Sequence, residues 1–521
     1  MCCAAALGDG FGRQKHRQER KGNRGQTVAR TNLTSRQRRA GNAALPARPL
    51  PLLSYEPHIL QLVLLLLTAL VAGCSSAYST SDRSVVAHQL QARTGQTISV
   101  NNGTGQLLFP PGTSLADGLS EEEAVAIALW NNAALAELLV DLGIARADLI
   151  QAGLLPNPEV AYFFHVTGKP FKYVFDLPIE ALWLRPFRLK AAGREAQRIS
   201  DRLVQNGLDL IRDVRQAYAD VLLARERLQI AEETVRLRQH VAELAEKRLR
   251  AGDASPQEVT PARIDALRAE QDAIRTQFEI PIAEERLRNL LGIGEIRDRL
   301  ILDSSIPTRP EQLDVELLTT QAVSNRPDAQ AAEEAVAAAK ERLQLASLGW
   351  VRLLGIADAT SGSLTGHDLG PAFRFTLPVF NWNQGGIARA EAEVERAVKQ
   401  QQTLRNQITL EVRRAHAQYL QARSELDVLK TKVRPEVETA IRQTQKAYEE
   451  GNTSYLLVLE ITRQLLDSYL REAQLYADLR RTWAELERSV GYHLDAGSIP
   501  NSTTPFIKPG TLTPTDEKGM P

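Results

Sequence analysis

The sequence predicts a mainly α-helical protein with a small β part, in which one structural unit occurs twice. Three observations predict this fold class. Landmarks recur at a nearly constant spacing along the 521 residues. Two stretches keep coiled-coil periodicity over far more residues than a globular helix needs. Short stretches of alternating apolar and polar residues interrupt the helices.

The internal repeat organises most of the chain. Its landmarks come in the same order in both halves, at offsets of 198 to 200 residues. Generic similarity between helices rich in Ala, Arg, Glu and Leu explains the helical matches, but not the Leu-Pro and Gly landmarks. The landmarks are 213–228 with 411–426, 247–253 with 446–452, Gly292 with Gly491, and Leu177-Pro178 with Leu377-Pro378.

Each half begins with one predicted helix, Ser120–Leu154 in the first half and 311–348 in the second. Ser120 suits an N-cap, because its hydroxyl can accept a backbone N–H and Glu123 can complete a capping box.

A very long helix follows in each half, predicted at 187–251 and 384–450. At 1.5 Å per residue each reaches roughly 100 Å, far beyond an ordinary globular helix. Apolar residues step by three and four along both, as in a coiled coil, and the many alanines allow close helix approach. These positions are Leu210, Val214, Ala217, Val221, Ala224, Leu228, Ala231 and Val235, and Leu404, Ile408, Val412, Ala415, Tyr419, Ala422, Leu426, Leu429 and Val433.

Both long helices end at a glycine, at Gly252-Asp253 and at Gly451-Asn452. Glycine adopts the left-handed conformation that ends many helices. Pro256 then suits the first turn of a new helix. Each half is therefore predicted to form a long helical hairpin.

Two alternating stretches lie between the first helix and the long helix of each half. Segments of about 9–11 residues with this alternation are typical of transmembrane β-strands, although a small soluble hairpin has the same pattern. Four strands cannot close a barrel in lipid, so at least two chains are required if these strands lie in a membrane. The alternating positions are Val160, Tyr162, Phe164 and Val166; Phe171, Tyr173, Phe175 and Leu177; a less regular stretch near 350–360; and Phe373, Phe375, Leu377 and Val379.

The amino-terminal region is predicted to be an export signal. Residues 59–73 are apolar or small, too few to span a bilayer comfortably but enough for a signal-peptide core. The alternative is a buried helix or a marginal membrane span. Residues 71–74 resemble the bacterial lipobox, in which cleavage after Gly73 leaves Cys74 to be acylated. A leader of 73 residues is long, so translation could start downstream, and residues 1–50 need not exist in the cell.

Charge and motif content exclude several functions. From position 74 onward the chain carries 52 Lys/Arg and 60 Asp/Glu, which does not favour nucleic-acid binding. The eleven Lys/Arg of residues 1–50 fit a cytoplasmic leader. No phosphate-binding loop, nucleophile elbow or metal-ligand spacing is found, so no enzyme activity, metal or cofactor is predicted.

These features together resemble the TolC-type outer-membrane factor family, in particular its lipoprotein members. The resemblance covers about residues 115–492 and rests on the duplication, on FDLPIE (175–180) and FTLPVF (375–380), on the helical segment at 217–228, on the hairpin ends at 250–255 and 450–455, and on the lipobox. It implies a homotrimer with a twelve-stranded β-barrel in the outer membrane and an α-barrel in the periplasm. It also implies a periplasmic adaptor and an inner-membrane pump, of RND or ABC type, as partners.

The resemblance also implies roles for individual residues. Cys74 would carry the outer-membrane lipid. The hairpin-end residues would form the adaptor and gate region, where ordinary solvated helix ends are the alternative: Arg250, Gly252, Asp253, Glu449, Glu450, Gly451 and Asn452. The predicted domains are a leader (1–73), a lipidated linker (74–118), two efflux repeats (119–305 and 306–492) and a disordered tail (493–521).

Two other functions remain open at this point. A periplasmic adaptor lipoprotein could also carry a helical hairpin, but it usually has one hairpin between strand-rich domains. A soluble helical bundle acting as an enzyme or scaffold would not need paired alternating strands. The sequence therefore favours a passive channel, and it does not identify the exported solute.

Overall fold

A computed structural model describes residues 82–99, 107–113, 118–164, 166, 171–252, 254–305, 309, 313–363 and 366–494. Within these residues, helices and strands alternate as the internal repeat requires. In chain order they are α1 (Arg83–Thr94), α2 (Glu121–Asn131), α3 (Ala133–Gly153), β1 (Glu159–Phe163), β2 (Lys172–Pro178), α4 (Glu180–Ala251), α5 (Pro256–Leu291), α6 (Val315–Asn325), α7 (Pro327–Leu348), β3 (Leu353–Ser363), β4 (Gly366–Phe375), α8 (Gln384–Val428), the π-helix π1 (Leu429–Val433), α9 (Arg434–Glu449) and α10 (Tyr455–Val490).

The two predicted helical hairpins are confirmed. Helix α4 has 72 residues and turns at Gly252 into α5, while α8, π1 and α9 run end to end and turn at Gly451 into α10. Both glycines have positive φ angles, 85° and 79°. The predicted start of this helix at residue 187 is wrong. Helix α4 begins at Glu180 and includes Pro186, because a proline in the second helical turn removes only one backbone hydrogen bond.

The second long helix was predicted to be continuous over 384–450, and this prediction is wrong. A π-helix at Leu429–Val433 interrupts it, and the Arg434 N–H bonds to the carbonyl of Leu429, five residues back. Pro435 follows directly. A proline cannot donate an α-helical hydrogen bond and its ring crowds the carbonyl four residues back, so a wider turn here relieves that clash. The first half has arginine at the matching position, Arg236, and α4 stays α-helical.

The first helix of each half is also broken, where one helix was predicted. Asn132 separates α2 from α3 by accepting the Leu135 N–H at 2.9 Å as an N-cap. Arg326 separates α6 from α7, because Pro327 disfavours a helical conformation for the residue before it. The predicted capping box of Ser120 and Glu123 is confirmed at the start of α2.

In each half, the second helix of the hairpin ends in contact with the break between the two shorter helices. The Asn132 amide donates to the Leu290 carbonyl at 2.9 Å, and the Arg326 guanidinium donates to the Ser489 carbonyl at 3.1 Å. Leu290 and Ser489 are 199 residues apart. Helix α5 therefore ends where α3 begins, and α10 ends where α7 begins, so both halves repeat the same joint.

The long helices pack side by side through the predicted coiled-coil positions. Near the strands, α4 lies between α3 and α7, and α7 contacts α8; further along, α4 lies between α5 and α10, and α10 contacts α8 and α9. Helix α5 and the run formed by α8, π1 and α9 are thus at the two sides of this layer. The buried positions include Val214, Ala217, Val221, Ile408, Val412, Ala415 and Tyr419.

The four strands form one antiparallel sheet in the order β1-β2-β3-β4. Sequential strands pair throughout, and β2 and β3 join the first half to the second. Strand β4 ends at Phe375, so the alternation predicted to continue through Leu377 and Val379 lies outside the strand.

The packing at the joints predicts that two glycines with positive φ angles differ in the stability lost when each is replaced by alanine. A Cβ on Gly292 would lie 2.2 Å from the Asn131 carbonyl oxygen, whereas a Cβ on Gly252 would meet nothing within 4 Å. Gly252→Ala should cost about 1–2 kcal/mol from its backbone conformation alone. Gly292→Ala should cost about 1–3 kcal/mol more, because packed backbone must move. Thermal unfolding followed by circular dichroism measures both, and equal losses would contradict the joint.

Candidate membrane and docking surfaces

One face of the sheet is apolar in every strand. Residues paired directly across an antiparallel ladder share a face. Tyr162 is central, with its ring 4.8 Å from Tyr173 and 4.6 Å from Phe164. The paired residues of this face are Val160 with Phe175, Tyr162 with Tyr173, Phe175 with Ala357, Leu177 with Gly355, Gly355 with Phe373, and Leu353 with Phe375.

The apolar face is uncovered in the single chain. Val160, Phe164, Phe373 and Phe375 are 67 %, 74 %, 68 % and 63 % exposed. An apolar patch of this kind marks contact with lipid or with another protein.

The opposite face of the sheet is mixed, with charged side chains among apolar ones such as Val174 and Ile356. Lys172 and Asp358 form an ion pair at 3.1 Å, and Arg374 lies 3.9 Å from Asp176. Exposed pairs contribute only about 0–1 kcal/mol, so they indicate a wet face and not a source of stability. A sheet with one apolar face and one face that carries charged pairs suits a boundary between lipid and water.

Strands β1 and β4 each leave one edge of this sheet unpaired. Unpaired backbone N–H and C=O groups in lipid cost several kcal/mol each, so such an edge needs a partner strand.

By length and composition, no single described helix reaches the threshold for a membrane span; α2 and α3 reach it only when taken together across their 47° bend.

The hairpin ends place most of the predicted docking residues at the surface. Arg250, Gly252, Glu449, Glu450, Gly451 and Asn452 are all exposed. The Asn452 amide donates to Glu450 at 3.2 Å, and its backbone N–H closes the turn on the Ala447 carbonyl at 2.8 Å. Asp253, Gly73 and Cys74 lie outside the described residues, so their predicted roles stay predictions.

A clamp that sequence reasoning missed holds the two hairpin ends together. The Arg248 guanidinium lies 4.7 Å from the ring centre of Tyr448, and the Tyr455 hydroxyl is 3.0 Å from Asp265. Tyr448 and Tyr455 are buried with Val241, Ala245, Val259 and Val458. Burial raises the pKa of Tyr455, so its hydroxyl remains a donor to Asp265. The two ends of one chain therefore form a single unit.

The surfaces of the two hairpin ends differ in chemistry. Leu456 is 72 % exposed and Leu457 is 46 % exposed at the start of α10. The matching positions at the start of α5 are Gln257 and Glu258. The second hairpin therefore presents an apolar pair beside Glu449 and Glu450.

A buried ion cluster joins the two halves away from the ends. Arg215 of α4 is paired with Glu487 of α10, and it lies 2.7 Å from Glu122. Arg480 lies 3.0 Å from Glu121. Burial alone would raise the pKa of Glu487, but Arg215 and His493 outweigh it and hold that pKa below its usual value. Removing one member would leave a buried charge unpaired, at a cost of about 3–5 kcal/mol.

Two residues near the chain end, His493 and Leu494, also contact this cluster. The His493 ring lies 2.7 Å from Glu487, and its backbone N–H bonds to the Arg93 carbonyl at 2.9 Å. Leu494 is buried. These first two residues of the predicted disordered tail thus pack against the fold, and residues 495–521 lie outside the described residues.

No group of three or more His, Cys, Asp or Glu side chains suited to a metal ion occurs among the described residues. In that part of the chain, the arrangement offers contact surfaces and a sheet face that carries ion pairs.

Comparison with known proteins defines the class. The outer membrane efflux protein family matches residues 177–293 and 318–492, which is more than half of the chain. The chain belongs to this family, and it is the outer-membrane channel component of a tripartite efflux system. The adaptor, which the sequence had left open, is therefore the wrong alternative.

Two relatives carry names that refer to metal resistance and to cation efflux. The chain is 25 % identical over 399 residues to the cobalt-zinc-cadmium resistance protein CzcC of Cupriavidus metallidurans, covering 74 % of this chain and 94 % of CzcC. It is 27 % identical over 280 residues to the cation efflux system protein CusC of Escherichia coli K12, covering 49 % of this chain and 58 % of CusC.

Solved structures share the fold. CusC superposes with a TM-score of 0.62 at 19 % identity, over 74 % of this chain and 97 % of the CusC chain. The outer membrane protein VceC of Vibrio cholerae gives 0.62 at 17 % identity, over 72 % and 97 %. The predicted fold class, duplicated helical hairpins with a small sheet, is confirmed.

The buried ion cluster of Arg215, Glu487 and His493 predicts that the stability of the fold depends on pH. The hydrogen bond to Glu487 raises the pKa of His493 above its ordinary value. Its stabilisation is therefore complete below the unfolded pKa, about 6.5, and is lost as pH rises through the higher folded pKa. His493→Gln should destabilise the chain more at about pH 6 than at about pH 9. Denaturant unfolding at both values measures this, with exposed His240→Gln as control; a pH-independent loss would contradict it.

Proposed function

We propose that three copies of this chain close into a passive conduit for metal cations across the outer membrane. A periplasmic adaptor docks on the hairpin ends and an inner-membrane pump, of RND or ABC type, drives export. The observation that carries the proposal is the sheet with one apolar face, one mixed face that carries ion pairs, and two open edges. The cation names of CzcC and CusC support the solute class.

Three copies are favoured because the chain supplies four strands and because the family resemblance implies twelve. With sequential strands antiparallel, β4 of one copy runs antiparallel to β1 of the next. Such head-to-tail contacts use two different edges and close into a ring.

The helical layer has matching open sides. Helix α5 carries an exposed apolar stripe on the side away from α4: Ile264, Leu267, Ile274, Phe278 and Ile282. Helix α8 carries one on the side away from its buried positions: Val398, Leu410, Leu420 and Val428. The α5 side of one copy and the α8 side of the next would cover each other in a ring, continuing the wall below the sheet.

Membrane attachment would come from the amino terminus as well as from the sheet. The apolar stretch at 59–73 before Cys74 supports export and acylation of that cysteine.

The repeats proposed at 119–305 and 306–492 correspond to the two sets of matching helices and strands, each ending after a joint.

The conduit is passive in this proposal. The chain contains no phosphate-binding loop to use nucleotide energy. Opening would follow from adaptor contact at the hairpin ends, which the Tyr448 and Tyr455 clamp would transmit to both hairpins of a chain at once.

The ring and the transport are tested together by a charge in the α5 stripe. Phe278→Glu would bury an unpaired carboxylate between copies, so the ratio of ring to monomer should fall about tenfold or more. Gln277→Glu, outside the stripe, is the matched control. Unheated gel migration reports the ring, and cobalt, zinc and cadmium retained by cells reports export. Unchanged rings in Phe278→Glu would contradict the proposed wall; intact rings without cation export in the parent would contradict the solute.

The docking role of the hairpin ends is tested by charge reversal. Glu449→Lys with Glu450→Lys should lower adaptor recovered with the ring about three- to tenfold, because complementary rim charge is lost. Glu436→Lys lies on α9 about 20 Å from the end and should change little. Co-purification measures both variants. Equal adaptor recovery from all three proteins would mean that docking lies elsewhere.

A further inference from the structure

The short helix α1 contacts both halves of the repeat. Leu90, which is fully buried, packs on Gly207 of α4, where an added Cβ would lie 2.8 Å from the Leu90 Cδ2 atom. At the end of α1, the Arg93 guanidinium donates to the Gly491 carbonyl at 3.4 Å, and the Arg93 carbonyl accepts the His493 N–H at 2.9 Å. Helix α1 therefore lies across the first half and the joint that ends the second half.

An acidic side chain is enclosed at this contact. Asp201 of α4 is only 3 % exposed, and it shares a face of α4 with Leu208, which belongs to the same hydrophobic core as Leu90. The Asp201 carboxyl accepts a hydrogen bond from the Gln197 amide at 2.8 Å and forms another with the Gln89 side chain of α1. These two partners are neutral amides, which can bond a protonated carboxyl as well as an ionised one.

Two charged side chains on neighbouring helices act on Asp201 in opposite directions. Arg93 of α1 favours the ionised carboxylate, whereas Glu334 of α7 disfavours it. Glu334 is itself paired with Arg194 of α4 at 3.0 Å. Burial outweighs Arg93 and raises the pKa of Asp201 to about 7. The docked helix therefore holds Asp201 protonated at mildly acid pH, at which an exposed aspartate is ionised.

We propose that α1 (Arg83–Thr94) is a strap that closes the two halves of the chain on each other, and that its docking on α4 takes up one proton at Asp201. When the strap leaves α4, Asp201 meets water and releases the proton to it. When the strap docks, the carboxylate takes a proton from solvent and keeps its hydrogen bonds to the two amides. One proton is bound for each strap that docks, and no covalent bond in the chain changes.

The direction of the pH dependence follows from this exchange. The docked state binds more protons than the undocked state between the ordinary aspartate pKa of about 3.9 and the docked pKa of about 7. Docking is therefore strongest at the acid end of this window and weakens as pH rises through it. Above the window Asp201 is ionised in both states and contributes no further change. Each pH unit inside the window changes the docking equilibrium by up to about tenfold.

The strap lies between the proposed lipid anchor and the helical layer. With the strap docked, the tether runs from Cys74 to Asp82, the N-cap of α1. With the strap released, the tether gains the 12 residues of the helix. The proton at Asp201 would thus set how closely the anchor holds the repeat. This inference concerns one chain and does not depend on the proposed ring.

Hydrogen exchange of the purified protein in detergent tests the strap and its proton. Amide protection of α1, corrected for the intrinsic exchange rate, is compared at about pH 4.5 and about pH 6, below the range in which His493 titrates, with α8 as internal reference. In the parent it should fall about tenfold or more between the two values. Asp201→Asn should keep the parent's acid-pH protection at both values, because asparagine is neutral and can still bond both amides.

Two further variants separate docking from proton uptake. Leu90→Ala should lower the protection of α1 about tenfold or more at both pH values, because it removes a buried side chain and no charge. Asp213→Asn, at a more exposed aspartate of the same helix, should leave α1 unchanged.

Three results would count against the proposal. Weaker protection in Asp201→Asn than in the parent at the higher pH would mean that an ionised Asp201 holds the strap through Arg93, and would overturn the proton uptake. Protection of α1 that does not vary with pH in the parent would also overturn it. Unchanged protection in Leu90→Ala, with α8 still protected, would overturn the strap itself.

Discussion

The structure depends on one constraint: backbone hydrogen bonds in a lipid environment must all be made within protein. The four-stranded sheet exposes apolar side chains on one face, which suits lipid, yet it leaves two strand edges unpaired. Each unpaired backbone group there costs several kcal/mol. A single chain would therefore be incomplete in lipid, and in the proposed ring further copies complete it.

The duplication makes one joint serve twice. In both halves the end of the second hairpin helix meets the break between two shorter helices, with a polar side chain bonding the last carbonyls. Gly292 and Gly491 occupy these joints in left-handed conformations. The joints carry the helical layer toward the sheet, while the Arg215 and Glu487 cluster and the tyrosine clamp tie the halves to each other. Both halves are therefore in contact at the hairpin ends and again at the ion cluster.

Much of this fold could be predicted from the sequence, because periodicity and turn residues are local signals. The hairpins, their glycine ends, the capping box at Ser120 and the strand alternation all follow from residues near each other in sequence. The break at Asn132 was missed although its N-cap bond with Leu135 is a local signal, since the bond from its amide to Leu290 depends on packing distant in sequence. The π-helix was missed although Pro435 is a local signal, since a proline can also kink or end a helix. The end of β4 was placed too late, because beyond Thr376, which still bonds to Arg352, the Val379 N–H bonds to Leu377 in its own segment and not to β3.

The site was predictable to a different extent. Exposed hairpin ends follow from turn chemistry, but the Arg248–Tyr448 contact and the buried Arg215 cluster depend on long-range packing of charged residues that in sequence look solvated. Electron cryomicroscopy of the mature protein in lipid nanodiscs tests the central claim most directly. We expect a closed barrel of twelve strands in which β4 of each copy lies beside β1 of the next. A four-stranded sheet with two free edges facing lipid, or a barrel closed by one chain, would contradict the account.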